Sequence, residues 1–290
     1  MHFTDVKSIL SPQNGMNLYR GCTHGCIYCD SRSRVYGMAH DFEDIEVKRN
    51  APELLERALR SKRNKCMIGT GSMCDPYMPC EKELRLTRQC LEIIHRYGFG
   101  VAVQTKSDLI LRDLELIAQI NEKAKAVVQF TLTTADDALC RIIEPGVCPT
   151  SRRAEALRMF QTRGIPTVVW LSPFLPLLND TEENLRALLN ICVSARVRGV
   201  VCFGIGLTLR EGNREYFYQA LDRHFPGLKQ RYCQRYGSAY EVASENNNRL
   251  MGILRETCRE YGILYRPDDV FAYLREFPQK EAYEQISMFD

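Results

Sequence analysis

The residues most able to do chemistry are three cysteines in the stretch GCTHGCIYCDSR, residues 21–32. Cys22, Cys26 and Cys29 are separated by three and then two residues, the close spacing of a metal-binding loop. Thiolates are the usual ligands of a four-iron, four-sulfur cluster, and three of them would leave one iron open to a further ligand. Gly21 and Gly25 free the backbone to wrap closely around such a group. A zinc loop completed by His24 or a distant cysteine is the alternative reading. The remaining ten of the thirteen cysteines lack cluster spacing and read mostly as small buried residues, as Cys192 and Cys202 do among their apolar neighbours. The odd count and the size of the chain disfavour a disulfide framework.

Such a loop needs a rigid frame. Short β-branched or apolar runs at 16–21, 66–71, 101–106, 127–133, 167–173 and 200–206 alternate with helical patterns near 52–61, 82–97, 109–121, 151–163, 181–197 and 213–223. This alternation predicts an α/β fold with a parallel sheet. Six such units suffice for an open partial (β/α)6 barrel, whose chemistry sits at the C-terminal ends of the strands. The barrel is expected over 1–224. A helical extension without strands follows over 225–277, then a loose tail over 278–290. A hydrophobic fraction of 45% and a charged fraction of 26% argue against disorder, and a formal charge of +3 neither requires nor excludes a nucleic-acid partner. No stretch is long and apolar enough to span a membrane, and the N-terminus lacks the apolar core of a secretory signal, so a soluble cytoplasmic protein is expected.

The Cys-x3-Cys-x2-Cys loop, with Tyr28 before its last cysteine, resembles the radical S-adenosylmethionine (SAM) superfamily, and more narrowly its spore photoproduct lyase branch. Three further stretches are similar to that branch: GTGSMCDPYMPCEKELRLTRQCLEII (69–94), VQTKSDLILRD (103–113), and FTLTTADDALCRIIEPGVCPTSRRAEAL (130–157) followed by SPFLPLLND (172–180). Asp30 and Cys74 depart from the pattern, where relatives more often carry an aromatic residue and a Thr or Ser.

The resemblance implies a 4Fe-4S cluster on Cys22, Cys26 and Cys29, with SAM chelating the open iron. It also implies an external electron donor of flavodoxin or ferredoxin type, and a 5′-deoxyadenosyl radical that takes hydrogen from a substrate. Lys106, at the end of the third strand, is the candidate partner of the SAM carboxylate. Thr131 and Thr133 share one face of the fourth strand and are candidates for ribose or carboxylate contact. Glu144, in the Glu-Pro-Gly turn, and Ser172 and Asn179, after the fifth strand, are further cofactor candidates. Asp75 and Tyr77 end the second unit and are expected to face the active site. Cys74 beside them is a candidate hydrogen-relay thiol. Each has a plainer reading as a turn, cap or strand residue.

The resemblance suggests repair or modification of a nucleic-acid lesion, with Arg20, Arg32, Arg34 and Lys48 as candidate phosphate contacts. Two alternatives stand beside it. One is a radical SAM enzyme acting on a peptide, protein or small molecule; the other is a zinc or iron–sulfur interaction or electron-transfer module. Gln285–Phe289 resembles the short peptide by which bacterial repair proteins dock on the DNA sliding clamp, where Met288 and Phe289 would fill an apolar groove.

Overall fold

The computed structural model describes residues 1–278; the tail over 279–290, with the clamp-like peptide, lies outside them. Eleven strands occur among the described residues: β1 (His2–Thr4), β2 (Gly15–Met16), β3 (Tyr19–Arg20), β4 (Glu46–Lys48), β5 (Met67–Thr70), β6 (Gly100–Thr105), β7 (Ala126–Thr131), β8 (Thr167–Trp170), β9 (Gly199–Val201), β10 (Gly206–Thr208) and β11 (Glu241–Ala243). Six form a parallel sheet in the order β2-β5-β6-β7-β8-β9 that does not close on itself. This is the open α/β barrel that the alternating pattern predicts. Among the described residues no helix is long and apolar enough to cross a membrane.

Alternation along the strands sends side chains to two apolar layers. One face, with Ile68, Val101, Val103, Val128, Val169 and Val200, packs into the main core with the flanking helices. The other buries Met67, Ala102, Val127, Val168 and Val201 against Val270 and Leu274. Those two residues belong to the helix Pro267–Arg275, so the C-terminal extension covers the inner face of the sheet. Further along the strands the same face turns polar, with Gln104, Lys106, Thr131 and Ser172 lining an open cleft.

Several boundaries differ from the sequence reading. The run 16–21 breaks after Met16, and Tyr19–Arg20 instead pairs antiparallel with β4 in a separate sheet completed by β1. The run 200–206 ends at Val201, and the chain re-forms as β10, which pairs antiparallel with β11. The segment after 225 therefore contains a strand, contrary to the expectation of helices alone. β11 is short, and its edge position gives it no periodic signal of its own.

The helical run 82–97 splits at Arg85, which adopts a left-handed φ of 50°. The cause is Glu81, which is fully buried. Its carboxylate accepts the amide N–H groups of Leu86 and Thr87 at 3.0 and 3.1 Å, capping the helix Leu86–Tyr97. It also accepts the hydroxyl of Tyr19 and pairs with Arg112 at 3.0 Å. One carboxylate thus joins the small sheet, a barrel helix and the segment after β6. Glu81→Ala leaves the Tyr19 hydroxyl and two helix amides without their acceptor and removes one of the two carboxylates that Arg112 meets. We expect about 1–3 kcal/mol of destabilisation in urea unfolding, with a smaller loss for Glu81→Gln, which keeps an acceptor oxygen.

Candidate functional site

The cysteine loop has almost no regular structure, so its shape is imposed by neighbours. Gly21 has φ 88°, and a Cβ there would lie 2.5 Å from the Phe42 carbonyl oxygen, which accepts the Cys22 N–H at 3.0 Å. The Ile27 N–H donates to the Ile143 carbonyl, and the Gly146 N–H donates to the His24 carbonyl at 2.8 Å. Gly146 cannot be larger, because a Cβ would meet the His24 backbone at 2.7 Å. The loop is therefore clamped between the 40–44 segment and the Glu-Pro-Gly turn.

Two buried polar groups hold it from beneath. His24 Nδ1 lies 3.0 Å from the Gly146 carbonyl, and Nε2 lies 3.2 Å from Asp75 Oδ2, in ion-pair range without hydrogen-bond alignment. Asp75 also accepts the Thr105 hydroxyl at 2.6 Å and the Lys106 N–H at 2.7 Å. Burial pushes the Asp75 carboxyl up, but His24 and these hydrogen bonds outweigh it and hold the group at about 2. The second group is the fully buried Glu144–Arg153 pair. Glu144 also accepts the Tyr28 hydroxyl, and Arg153 donates to the Thr131 carbonyl at 2.7 Å, so the pair connects the loop to the end of β7.

Cys22, Cys26 and Cys29 line one cavity with Cys74, Lys106 and Thr131. Among the described residues, the candidate ligands drawn within 4.8 Å of one another are His2, His40 and Asp44, and the loop cysteines are not such a group. A single zinc ion with bonds of about 2.3 Å to sulfur needs tighter convergence, whereas a polynuclear cluster accepts thiolates set further apart. His24 faces Asp75, which removes it as a fourth ligand. Burial pushes the Cys26 thiol up to about 12, Lys106 opposing it, so metal loading must displace a proton there.

Lys106 has no carboxylate within ion-pair distance among the described residues. Burial works against its charge, but Cys26, Glu144 and Asp75 outweigh that and keep the ammonium protonated. Thr131 and Ser172 line the adjoining cleft of about 590 Å³ together with Trp170 and Phe203. Cys74 is buried, donates to the Tyr19 carbonyl at 3.0 Å, and is pushed up to about 12 by burial, which keeps it a thiol.

Other candidates do not reach the cleft. Tyr77 is fully buried and donates to Asp113 at 3.1 Å. Thr133 lies beyond the end of β7 and is buried, its carbonyl accepting Asn179 at 2.8 Å. Asn179 is turned to the backbone, also accepting the Leu175 N–H at 2.6 Å. Glu144 faces Arg153 and Tyr28, so its place is beneath the loop. The four basic candidates are engaged within the protein: Arg20 with the Tyr36 and Gly37 carbonyls, Arg32 with Glu43, Arg34 with Glu211, and Lys48 with the Asn17 carbonyl. Sequence reasoning did not single out Arg153, Thr105, Trp170 or Phe203. The chain's one tryptophan at a strand end was the available signal for Trp170.

The structure is an open α/β sheet with three loop cysteines lining a cavity that Lys106 and Thr131 share. The Radical SAM superfamily model matches residues 16–190, and the chain belongs to that superfamily. That superfamily uses a 4Fe-4S cluster and SAM. An uncharacterized protein of Mycobacterium tuberculosis is 31% identical over 229 residues, 76% of this chain and 66% of that protein. The match thus spans just under two thirds of that relative's length. A protein of Methanocaldococcus jannaschii is 32% identical over 169 residues, 58% of this chain and 62% of that protein. In fold the chain is similar to a spore photoproduct lyase variant, with a TM-score of 0.65 at 16% identity over 90% of this chain and 78% of the other. It is also similar to the radical S-adenosylmethionine methyltransferase TsrM of Kitasatospora setae, with a TM-score of 0.54 at 13% identity over 88% and 53%.

Burial raises the Glu144 pKa, but Arg153, Lys106 and the Tyr28 hydroxyl outweigh it and leave it depressed below its ordinary 4.5. A depressed carboxyl contributes stability that is complete above the ordinary value and lost as pH falls through the native one. Glu144→Gln should therefore be less stable than wild type at neutral pH, with the difference narrowing on acidification below about pH 4.5 in urea unfolding. Glu144→Ala, which leaves Arg153 buried and unpaired, should lose about 3–5 kcal/mol at neutral pH.

Proposed function

We propose that Cys22, Cys26 and Cys29 hold the 4Fe-4S cluster and that the adjoining cleft receives SAM and a substrate for hydrogen abstraction. The observation carrying this reading is the opening of the three cysteines, Lys106 and Thr131 into one cavity at the C-terminal ends of the parallel strands. When bound, the cofactors supply a 5′-deoxyadenosyl radical by one-electron cleavage of SAM, the electron arriving from an external donor of flavodoxin or ferredoxin type. Lys106 provides the unpaired cation for the methionyl carboxylate, a charge-assisted contact strengthened by burial. Thr131 and Ser172 offer hydroxyls along the same wall. Asp75 and Glu144 act as positioning residues, one through His24 and the other through Tyr28.

For the substrate we read a lesion-bearing nucleic acid, acted on in the manner of a lyase. Phe203 is 64% exposed beside Trp170, whose ring is fixed by its N–H to Gln129 at 2.9 Å. Such a pair can stack a base, a contact of about 1–3 kcal/mol. The similarity in fold extends to a spore photoproduct lyase complexed with dinucleoside spore photoproduct, at a TM-score of 0.62 and 15% identity. The internal pairing of Arg20, Arg32, Arg34 and Lys48 favours a second reading, a peptide or small-molecule substrate without an extended phosphate track. Cys74 is the proposed thiol that returns a hydrogen atom to the product radical; its S–H bond breaks as the product's C–H bond forms, and the thiyl radical regains one electron from the external donor and a proton from solvent.

Anaerobic reconstitution followed by reduction with SAM tests the core of this reading. Wild type should release 5′-deoxyadenosine, and Cys22→Ala, Cys26→Ala and Cys29→Ala should not. SAM cleavage that persists in these variants would remove the assignment of the ligands. Lys106→Ala should keep its iron and weaken SAM binding about tenfold or more, as the loss of one charge-assisted hydrogen bond requires. Once lesion-bearing DNA or another substrate supports turnover, Cys74→Ala should divert products to adducts of the unquenched radical; an unchanged product profile would assign the hydrogen donor elsewhere.

A further inference from the structure

A second group of metal-ligating side chains lies outside the cleft, where the small sheet meets the segment behind the cysteine loop. His2 and Glu46 are register partners on the parallel strands β1 and β4, which places their side chains beside each other on one face. His40 and Asp44 approach from the intervening segment. One ligand atom each of His2, His40 and Asp44 lies within 4.8 Å of the others. The His2 and His40 rings meet edge to face at 4.8 Å between centroids. His2 Nδ1 is 2.9 Å from Asp44 Oδ2, and the other Asp44 oxygen receives the Met1 amino group at 2.6 Å.

His40 supplies the observation that points to a ligand. Its Nδ1 lies 3.0 Å from the Asp41 carbonyl oxygen, which fixes the proton on that nitrogen. Nε2 is buried without a hydrogen-bond partner, and Glu46 Oε2 lies 3.6 Å from it. A metal-bound histidine commonly donates its second nitrogen to a backbone carbonyl in this way. An imidazole oriented by its own backbone, a second imidazole and the Asp44 carboxylate, with the Glu46 carboxylate 3.6 Å from His40 Nε2, are nitrogen and oxygen donors of the kind a tetrahedral divalent ion takes.

We infer that His2, His40, Asp44 and Glu46 form a structural site for a divalent transition-metal ion of the zinc class. The ion would fasten β1 to the 40–44 segment, whose Phe42 carbonyl accepts the Cys22 N–H at 3.0 Å. Arg32 lies over the Phe42 ring at 4.3 Å and pairs with Glu43, so the segment between the two sites is already held on its other side. The site would brace the cysteine loop from behind without touching the cleft, and it stands independently of what the cysteines bind.

Zinc and iron are measured together in full-length protein, anaerobically reconstituted so that iron occupies the cysteines, then equilibrated with zinc and passed through a desalting column. One zinc per chain is expected in wild type and none in His40→Ala, with iron unchanged between them; Glu46→Gln should bind zinc about tenfold more weakly. Cobalt titration of the unreconstituted protein identifies the ligands, because cobalt on imidazole and carboxylate lacks the thiolate-to-cobalt charge-transfer band. Wild type without zinc above the buffer blank, zinc retained by His40→Ala, or cobalt showing only the thiolate band would each overturn the inference.

Discussion

The buried ion pair between Glu144 and Arg153 is the interaction on which the site depends. An ionised carboxylate and guanidinium without solvent are costly unless each has partners for its remaining hydrogen-bonding groups. Here Glu144 also takes the Tyr28 hydroxyl, and Arg153 also reaches the Thr131 carbonyl. The partners that make the pair tolerable are the loop bearing the cysteines and the strand end bearing Thr131. Burial of the pair and placement of the loop are therefore coupled: Glu144 gains the Tyr28 hydroxyl only when the loop sits where it does, while Arg153 is held by Glu144 and the Thr131 carbonyl.

A similar economy recurs at Asp75 and Glu81. Asp75 gathers His24 from the loop with Thr105, the last residue of β6, and Lys106, the residue after it. Glu81 gathers Tyr19, Arg112 and a helix N-terminus. Each buried carboxylate joins segments far apart in the chain. The strands themselves need only apolar alternation, and their two faces separate cleanly into apolar layers. The polar connectors fix the irregular segments, which hydrophobic burial alone cannot orient because it is non-directional.

This division explains why one wall of the cleft is left chemically open. Lys106 follows a strand whose last residues satisfy Asp75 through Thr105 and a backbone amide, so its own side chain is not drawn into that pair. Thr131 similarly supplies its carbonyl to Arg153 and keeps its hydroxyl on the cleft. Trp170 and Phe203 continue the wall as aromatic surface, meeting at 6.1 Å between centroids. The inner face thus passes from an apolar floor covered by the C-terminal helix to a rim with one cation, hydroxyls and rings.

The order of strands and helices, the cysteine loop and the strand-end position of Lys106 were legible in the sequence, because each rests on local spacing: apolar periodicity, glycine beside cysteine, and a basic residue where an apolar run stops. The separation of Tyr19–Arg20 from Gly15–Met16, the pairing of β10 with β11, and the break at Arg85 were not, because each is imposed by a partner distant in the chain. The same holds for the candidate residues. Thr131 and Thr133 are equivalent by alternation, yet the strand ends between them and only Thr131 faces the cleft. Glu144 and Tyr77 have the residue types of active-site groups, but Arg153 and Asp113 hold them away from it. Residue type and spacing set what chemistry the chain can do; long-range pairing of buried charges sets which of those residues remain free to do it, since a buried polar group must find its partner before it can serve anything else.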